Sequence, residues 1–199
     1  MKKISLWMAL ALPAAASLPL PGLAQESATS LGGSAVPGVC LLSREAVFAN
    51  AKVGKSTNEK LQQFTRTAQT EIGGEQAALD QEMERLGLRR PGLQESQLNE
   101  QQRAAMQKFN ALRQKAAERG RQIEATRLKA MQRISDEAQP VIAQVYARHK
   151  CGLLLDRGSV LGGNLSNDLT AEVVAGLDAK IAALPIALEP VPAAAGDTR

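Results

Sequence analysis

Gly87-Leu88-Arg89-Arg90-Pro91-Gly92 separates two long stretches of helical periodicity, and its reading decides the fold. Two glycines and a proline within six residues end a helix and let the chain reverse. On the N-terminal side, apolar residues recur at Leu61, Phe64, Ala68, Ile72, Leu79, Met83 and Leu86. The steps 61→72→83 and 68→79 are each 11 residues. That is about 3.67 residues per turn, so the stripe keeps to one face with a gentle right-handed drift. Ser56-Thr57-Asn58-Glu59 fits a capping box and predicts the helix start. Gly73-Gly74 costs about 1 kcal/mol per glycine relative to alanine; the stripe resumes in phase beyond it, so it reads as a soft point. On the C-terminal side a second helix is predicted from about Leu93 to Lys150. Its stripe is Ala105, Phe109, Leu112, Ala116, Ile123, Leu128, Met131, Ile134, Ala138, Val141 and Val145. Gly120 is a second soft point, and Pro140 predicts a kink. At about 1.5 Å per residue the first helix spans about 45 Å. Both stripes are narrow and the other faces are Gln, Lys, Arg and Glu, so the pair predicts an antiparallel coiled-coil hairpin, mobile toward its tip.

Working outward, short apolar runs flank the hairpin. Val39-Cys40-Leu41-Leu42 and Cys151 to Asp156 predict buried strands, and Ser159-Val160-Leu161 a further strand after the Arg157-Gly158 turn. Glu45 to Lys52 predicts a short helix ended by Gly54. Asn167-Asp168-Leu169-Thr170 caps a last helix with an apolar face of Val173, Val174, Leu177, Ile181 and Leu184, ended by Pro185. A sheet of residues 38–42, 151–156 and 159–162 would clamp the two ends of the hairpin together. The fold class is therefore α+β, a long hairpin on a small β body. Three short strands bury little surface, which argues for an oligomer. The expected organisation is a segment 1–24 removed on export, a disordered linker 25–36, a body from 37–54 and 149–184, an arm 55–148, and a disordered Pro- and Ala-rich tail 185–199.

The first 24 residues read as a secretory signal. Lys2 and Lys3 precede the apolar run Ile4 to Ala16; Pro19, Pro21 and Gly22 follow, and small residues at Gly22 and Ala24 predict cleavage after Ala24. The run is shorter than the ~20 residues a bilayer needs, and no later segment is apolar enough to span one. The mature protein is expected in a bacterial periplasm.

Composition narrows the function classes. The 199 residues include one histidine, two cysteines and 3% aromatics, with a net charge of +4. One histidine argues against a His-based zinc site or a protease triad, and two cysteines are too few for a four-thiolate zinc site. No phosphate loop or paired-acid signal appears, so no enzyme, metal or cofactor is expected. His149 lies two residues before Cys151, but it falls at a helix end and no third group is specified for a nucleophile.

The order of elements resembles the Skp/OmpH family of periplasmic chaperones. Leu41 to Phe48 (LLSREAVF) is similar to the family's first strand and short helix. Gly152 to Val174 (GLLLDRGSVLGGNLSNDLTAEVV) is similar to its strand-strand-helix segment, with the helix start at Asp168-Leu169-Thr170 and Val173. The resemblance covers nearly all the mature chain. It implies a homotrimer whose hairpins enclose a cavity and hold unfolded outer-membrane β-barrel proteins without ATP. The two cysteines, the glycines in the hairpin and the long tail depart from the family's best-known pattern.

Candidate functional residues lie on the arm. Lys55 to Arg148 carries 16 Lys+Arg against 12 Asp+Glu. Arg85, Arg89 and Arg90 sit near the tip, and Arg103, Lys108 and Arg113 on the second helix. These either draw acidic unfolded clients, and lipopolysaccharide phosphates, by their field or form a solvated face. Leu88 and Leu93 at the tip are candidates for apolar client contact, whereas the stripe leucines read as seam. Nucleic acid is not expected, because the basic stretch has few aromatics for stacking. Cys40 and Cys151 lie at predicted strands in an oxidising compartment, and a disulfide between them is expected over two buried free thiols. A structural coiled-coil protein of the envelope, without chaperone activity, is the alternative function.

Overall fold

The computed structural model describes residues 32–89 and 94–191. The segment predicted as an export signal with its predicted cut after Ala24, most of the predicted linker, Arg90, Leu93 and the end of the tail lie outside the described residues. Strand β1 (Val39–Leu42) is followed by helix α1 (Arg44–Asn50) and helix α2 (Lys52–Arg85). Helix α3 (Glu100–Arg148), strand β2 (Leu153–Asp156) and helix α4 (Thr170–Lys180) complete the order.

Strands β1 and β2 pair in parallel, with Val39 opposite Leu153 and Leu42 opposite Asp156. This pairing brings the two roots of the hairpin together. The expected third strand at 159–162 is absent. The Asp156 carboxylate accepts from Gly158 N–H (2.9 Å), and residues Arg157–Ser159 form a single 3₁₀ turn instead. The far edge of β1 is taken by residues 167–169: Leu41 N–H donates to Asn167 O, and Leu169 N–H to Leu41 O. Nor is β2 buried as predicted; Leu153 is 50% exposed and Leu155 37%.

The core lies in this head. It joins Cys40, Leu42, Val47, Ala51 and Val53 to Ile134, Ala138, Val141 and Val145 of α3 and to Leu169, Val173 and Leu177. Each fully buried Val, Leu or Ile contributes about 1.5–3 kcal/mol from area removed from water. The last turns of α3 thus belong to the head, and α4 packs on them so closely that a Cβ at Gly176 would come within 2.6 Å of Val141 Cγ1.

Several helix ends differ from the sequence reading. Helix α1 starts at Arg44, capped by the Ser43 hydroxyl, which accepts from Ala46 N–H (3.1 Å). Ala51 breaks the chain with φ −65°, ψ 145°, and α2 starts at Lys52. Its first N–H donates to the Asp178 carboxylate of α4 (2.6 Å), so the cap comes from a distant helix. The Ser56–Glu59 motif lies inside α2, and Gly54 does not end a helix. Its hydrogen faces the Phe48 carbonyl at a crossing too tight for a methyl group. α2 runs unbroken through Gly73-Gly74, α3 through Pro140. The second helix begins at Glu100 rather than near Leu93, after a 3₁₀ turn at Glu95–Gln97. Asn99 and Gln102 cap it reciprocally. α4 stops at Lys180, before Pro185, with Ile181 extended.

Candidate functional site

α2 and α3 form the arm. Lys108 reaches Glu82 (2.8 Å), Lys115 reaches Glu75 and Glu71 (both 2.6 Å), and Arg119 reaches Glu71 (3.5 Å). Each step down α2 is matched by the same step up α3, so the helices are antiparallel in constant register. The Lys115 hydrogen bond holds the Glu71 carboxyl below its ordinary range; Glu71, then Glu75, lift the Lys115 ammonium in return. These pairs are partly exposed and each stabilises little, but together they align the two helices. Leu79, Ala105 and Leu112 are buried along the seam. Leu128 and Met131, predicted for the seam, are instead 59% and 39% exposed, and Thr126 and Ala130 take the inward positions.

The residues singled out in the sequence fall into three groups. Arg85 is exposed, with no acidic partner among the described residues, and lines an open groove with Leu79, Leu112, Glu82 and Lys108. Arg103 is exposed and donates to Leu98 O (3.0 Å); Arg113 is exposed over the Phe109 ring (5.9 Å). Arg89 and Lys108, by contrast, are paired within the arm to Asp80 and Glu82. Leu88 is half-buried. Arg90 and Leu93 lie outside the described residues.

At the head, Cys40 and Cys151 are joined in a disulfide with Cα atoms 5.8 Å apart, closing a sequence separation of 111. His149 Nε2 lies 2.7 Å from Glu172 Oε1, and Arg148 donates to the other oxygen of that carboxylate (3.1 Å). The sole histidine is thus a link between α3 and α4. Asp168 accepts from Thr170 N–H (2.9 Å) and from Arg157 (2.8 Å). Burial works to raise its pKa, but the hydrogen bonds from Thr170 and Arg157 outweigh that and hold it below the ordinary carboxylate value. Leu153, Leu155, Leu161 and Leu165 are exposed on the head. The tail is not disordered over its described part: residues 185–189 lie against α3. Neither feature was predicted. Period-two alternation at Leu184, Ile186 and Leu188 was the signal available for the tail.

The family model for outer membrane protein (OmpH-like) matches residues 38–177. The chain belongs to the OmpH-like family. That match runs from β1 to α4, so it takes in the head and the whole arm. Among solved structures, the chain is similar to the crystal structure of a candidate outer membrane chaperone (OmpH-like) from Caulobacter crescentus CB15. The two are 35% identical with a TM-score of 0.70, over 80% of this chain and 94% of that one. No curated protein sequence matches the chain. Membership in the OmpH-like family therefore rests on the complete head-and-arm unit. No described helix is long and apolar enough to cross a membrane.

Proposed function

We propose that this OmpH-like protein is an exported, ATP-independent holdase that shields unfolded outer-membrane β-barrel proteins in the periplasm. The observation that carries the reading is the antiparallel arm rooted in the head core, on the fold of a candidate outer membrane chaperone. Long-range steering comes from exposed cations such as Arg85, Arg103 and Arg113, and adhesion from scattered apolar groups such as Leu128 and Met131. Lipopolysaccharide phosphates are a further anionic ligand that the same cations attract. Many weak contacts suit clients of varied sequence.

A cavity requires several arms. The exposed Leu153, Leu155, Leu161 and Leu165 supply an apolar head surface for other copies, in keeping with a homotrimer. The test is dilution of a urea-unfolded outer-membrane barrel protein into buffer with the purified mature chain. Suppressed aggregation, weakened by added salt, supports the holdase; no suppression at any ratio favours a purely structural envelope protein.

A further inference from the structure

The chain's own tail marks a binding site on the arm. Beyond α4, Leu184, Ile186 and Leu188 are half-buried while Pro185 and Ala187 are exposed, the period-two pattern of an extended segment. This segment runs antiparallel to α3, from the head outward. Arg133 donates to Pro185 O (3.2 Å), Glu189 N–H donates to the Thr126 hydroxyl (2.9 Å), and Lys129 Nζ holds the Glu189 carboxylate (2.9 Å). Thr126, Lys129, Ala130 and Arg133 of α3 face Pro185, Ile186, Ala187 and Glu189 of the tail across a shallow open groove. Two of the contacts are to the peptide backbone, which any extended chain presents. The remainder are apolar contact and one cation for one carboxylate. The Thr126 hydroxyl donates to Gln122 O within α3 (2.6 Å), which holds its oxygen in place as an acceptor on the helix face.

We propose that the α3 groove at Thr126–Arg133 binds extended polypeptide segments with alternating apolar residues and a carboxylate, and that residues 184–189 occupy it as an internal competitor. The inference rests on the holdase reading for its outside ligand. Barrel strands have this alternation, and the tail is a covalently attached mimic of one. Tethering gives the tail a high effective concentration, of millimolar order for a short flexible connection. A client segment gains the groove only by displacing the tail, which sets a threshold for capture and a route for release.

The experiment uses the full mature chain and a fluorescent peptide of residues 182–191, read by anisotropy. Wild type should bind the peptide weakly. The variant Ile186→Ser/Leu188→Ser/Glu189→Lys, with its tail released, should bind it at least tenfold more tightly, and Lys129→Ala in that background, which removes the cation without giving the introduced lysine a new partner, should cut that gain severalfold. The released variant should also protect a urea-diluted barrel protein at lower concentration than wild type. If the triple variant fails to fold by circular dichroism, Glu189→Lys alone sets two cations against each other and is read the same way. Equal peptide binding by wild type and released variant, or none by either, overturns the proposal. Peptide binding without suppression of aggregation would refute the holdase reading and leave the groove; suppression without peptide binding would do the reverse.

Discussion

Alanine at Gly54 would place its methyl carbon 2.9 Å from the Phe48 carbonyl carbon and closer still to the oxygen, where real Cβ atoms keep at least 3.0 Å. The obstacle is backbone, so no rotamer change relieves it. Relief requires α1 to move away from α2, yet Val47 and Ala51 on either side of Phe48 are 3% and 0% exposed in the core. Overpacking of this kind costs about 1–3 kcal/mol, and a backbone clash belongs at the upper end. Helix propensity returns about 1 kcal/mol, leaving a net loss of about 2 kcal/mol. For a chain of this size that lowers Tm by roughly 4–8 °C. Gly73 and Gly74, in the same helix, have nothing within 4 Å of a built Cβ. Gly73→Ala should therefore gain the propensity term alone, about 1 kcal/mol, and melt higher. Far-UV circular dichroism melts of the three proteins give the comparison. A Gly54→Ala variant that melts at or above wild type would refute the close-crossing argument.

Other perturbations have equally defined signs. Cys40→Ser/Cys151→Ser opens a loop of 111 residues; in the loop-entropy account this costs about 4–5 kcal/mol. Urea denaturation should show the loss, and reductant should reproduce it in wild type but leave the variant unchanged. Two alkylatable thiols in denatured, unreduced wild type would refute the bond. Asp168 has its folded pKa depressed, so its contribution is present above the unfolded value of about 3.9 and lost as pH falls through the lower folded one. Asp168→Asn should be less stable than wild type at neutral pH and show a shallower acid loss; parallel pH–stability curves would contradict this. The Thr57 hydroxyl is buried without a partner among the described residues. Thr57→Val should stabilise by about 1 kcal/mol, and a lower Tm would show that the hydroxyl is satisfied in solution.

The long helices were legible because their signals are local and repetitive. The chain break after Arg85 and the inward Leu79, Leu112, Ile134 and Val145 follow from glycine chemistry and helical period. Features set by distant partners were not. Lys52 starts α2 where Asp178 receives its N–H, a contact across 126 positions, whereas the local capping motif at Ser56 lies a turn inside the helix. Asn99 and Gln102 do form a local box, but the apolar stripe placed the helix start earlier. Val160 and Leu161 have strand-like composition, yet residues 167–169 already hold the β1 edge where a third strand would pair. At the arm surface, charge counting found the cations and missed their pairing: Lys108 of α3 meets Glu82 across the seam on α2, and Arg89 folds back on Asp80. Proline and alanine made the tail read as disordered, although its alternating apolar residues fit the α3 face.

The mass of the purified mature protein, measured by light scattering with and without an unfolded barrel client, bears most directly on the account. Three chains alone, and three chains plus client in the complex, are the predicted result. A single chain at working concentration, with no gain in mass on adding client, would leave no enclosure between arms and would contradict the proposed role.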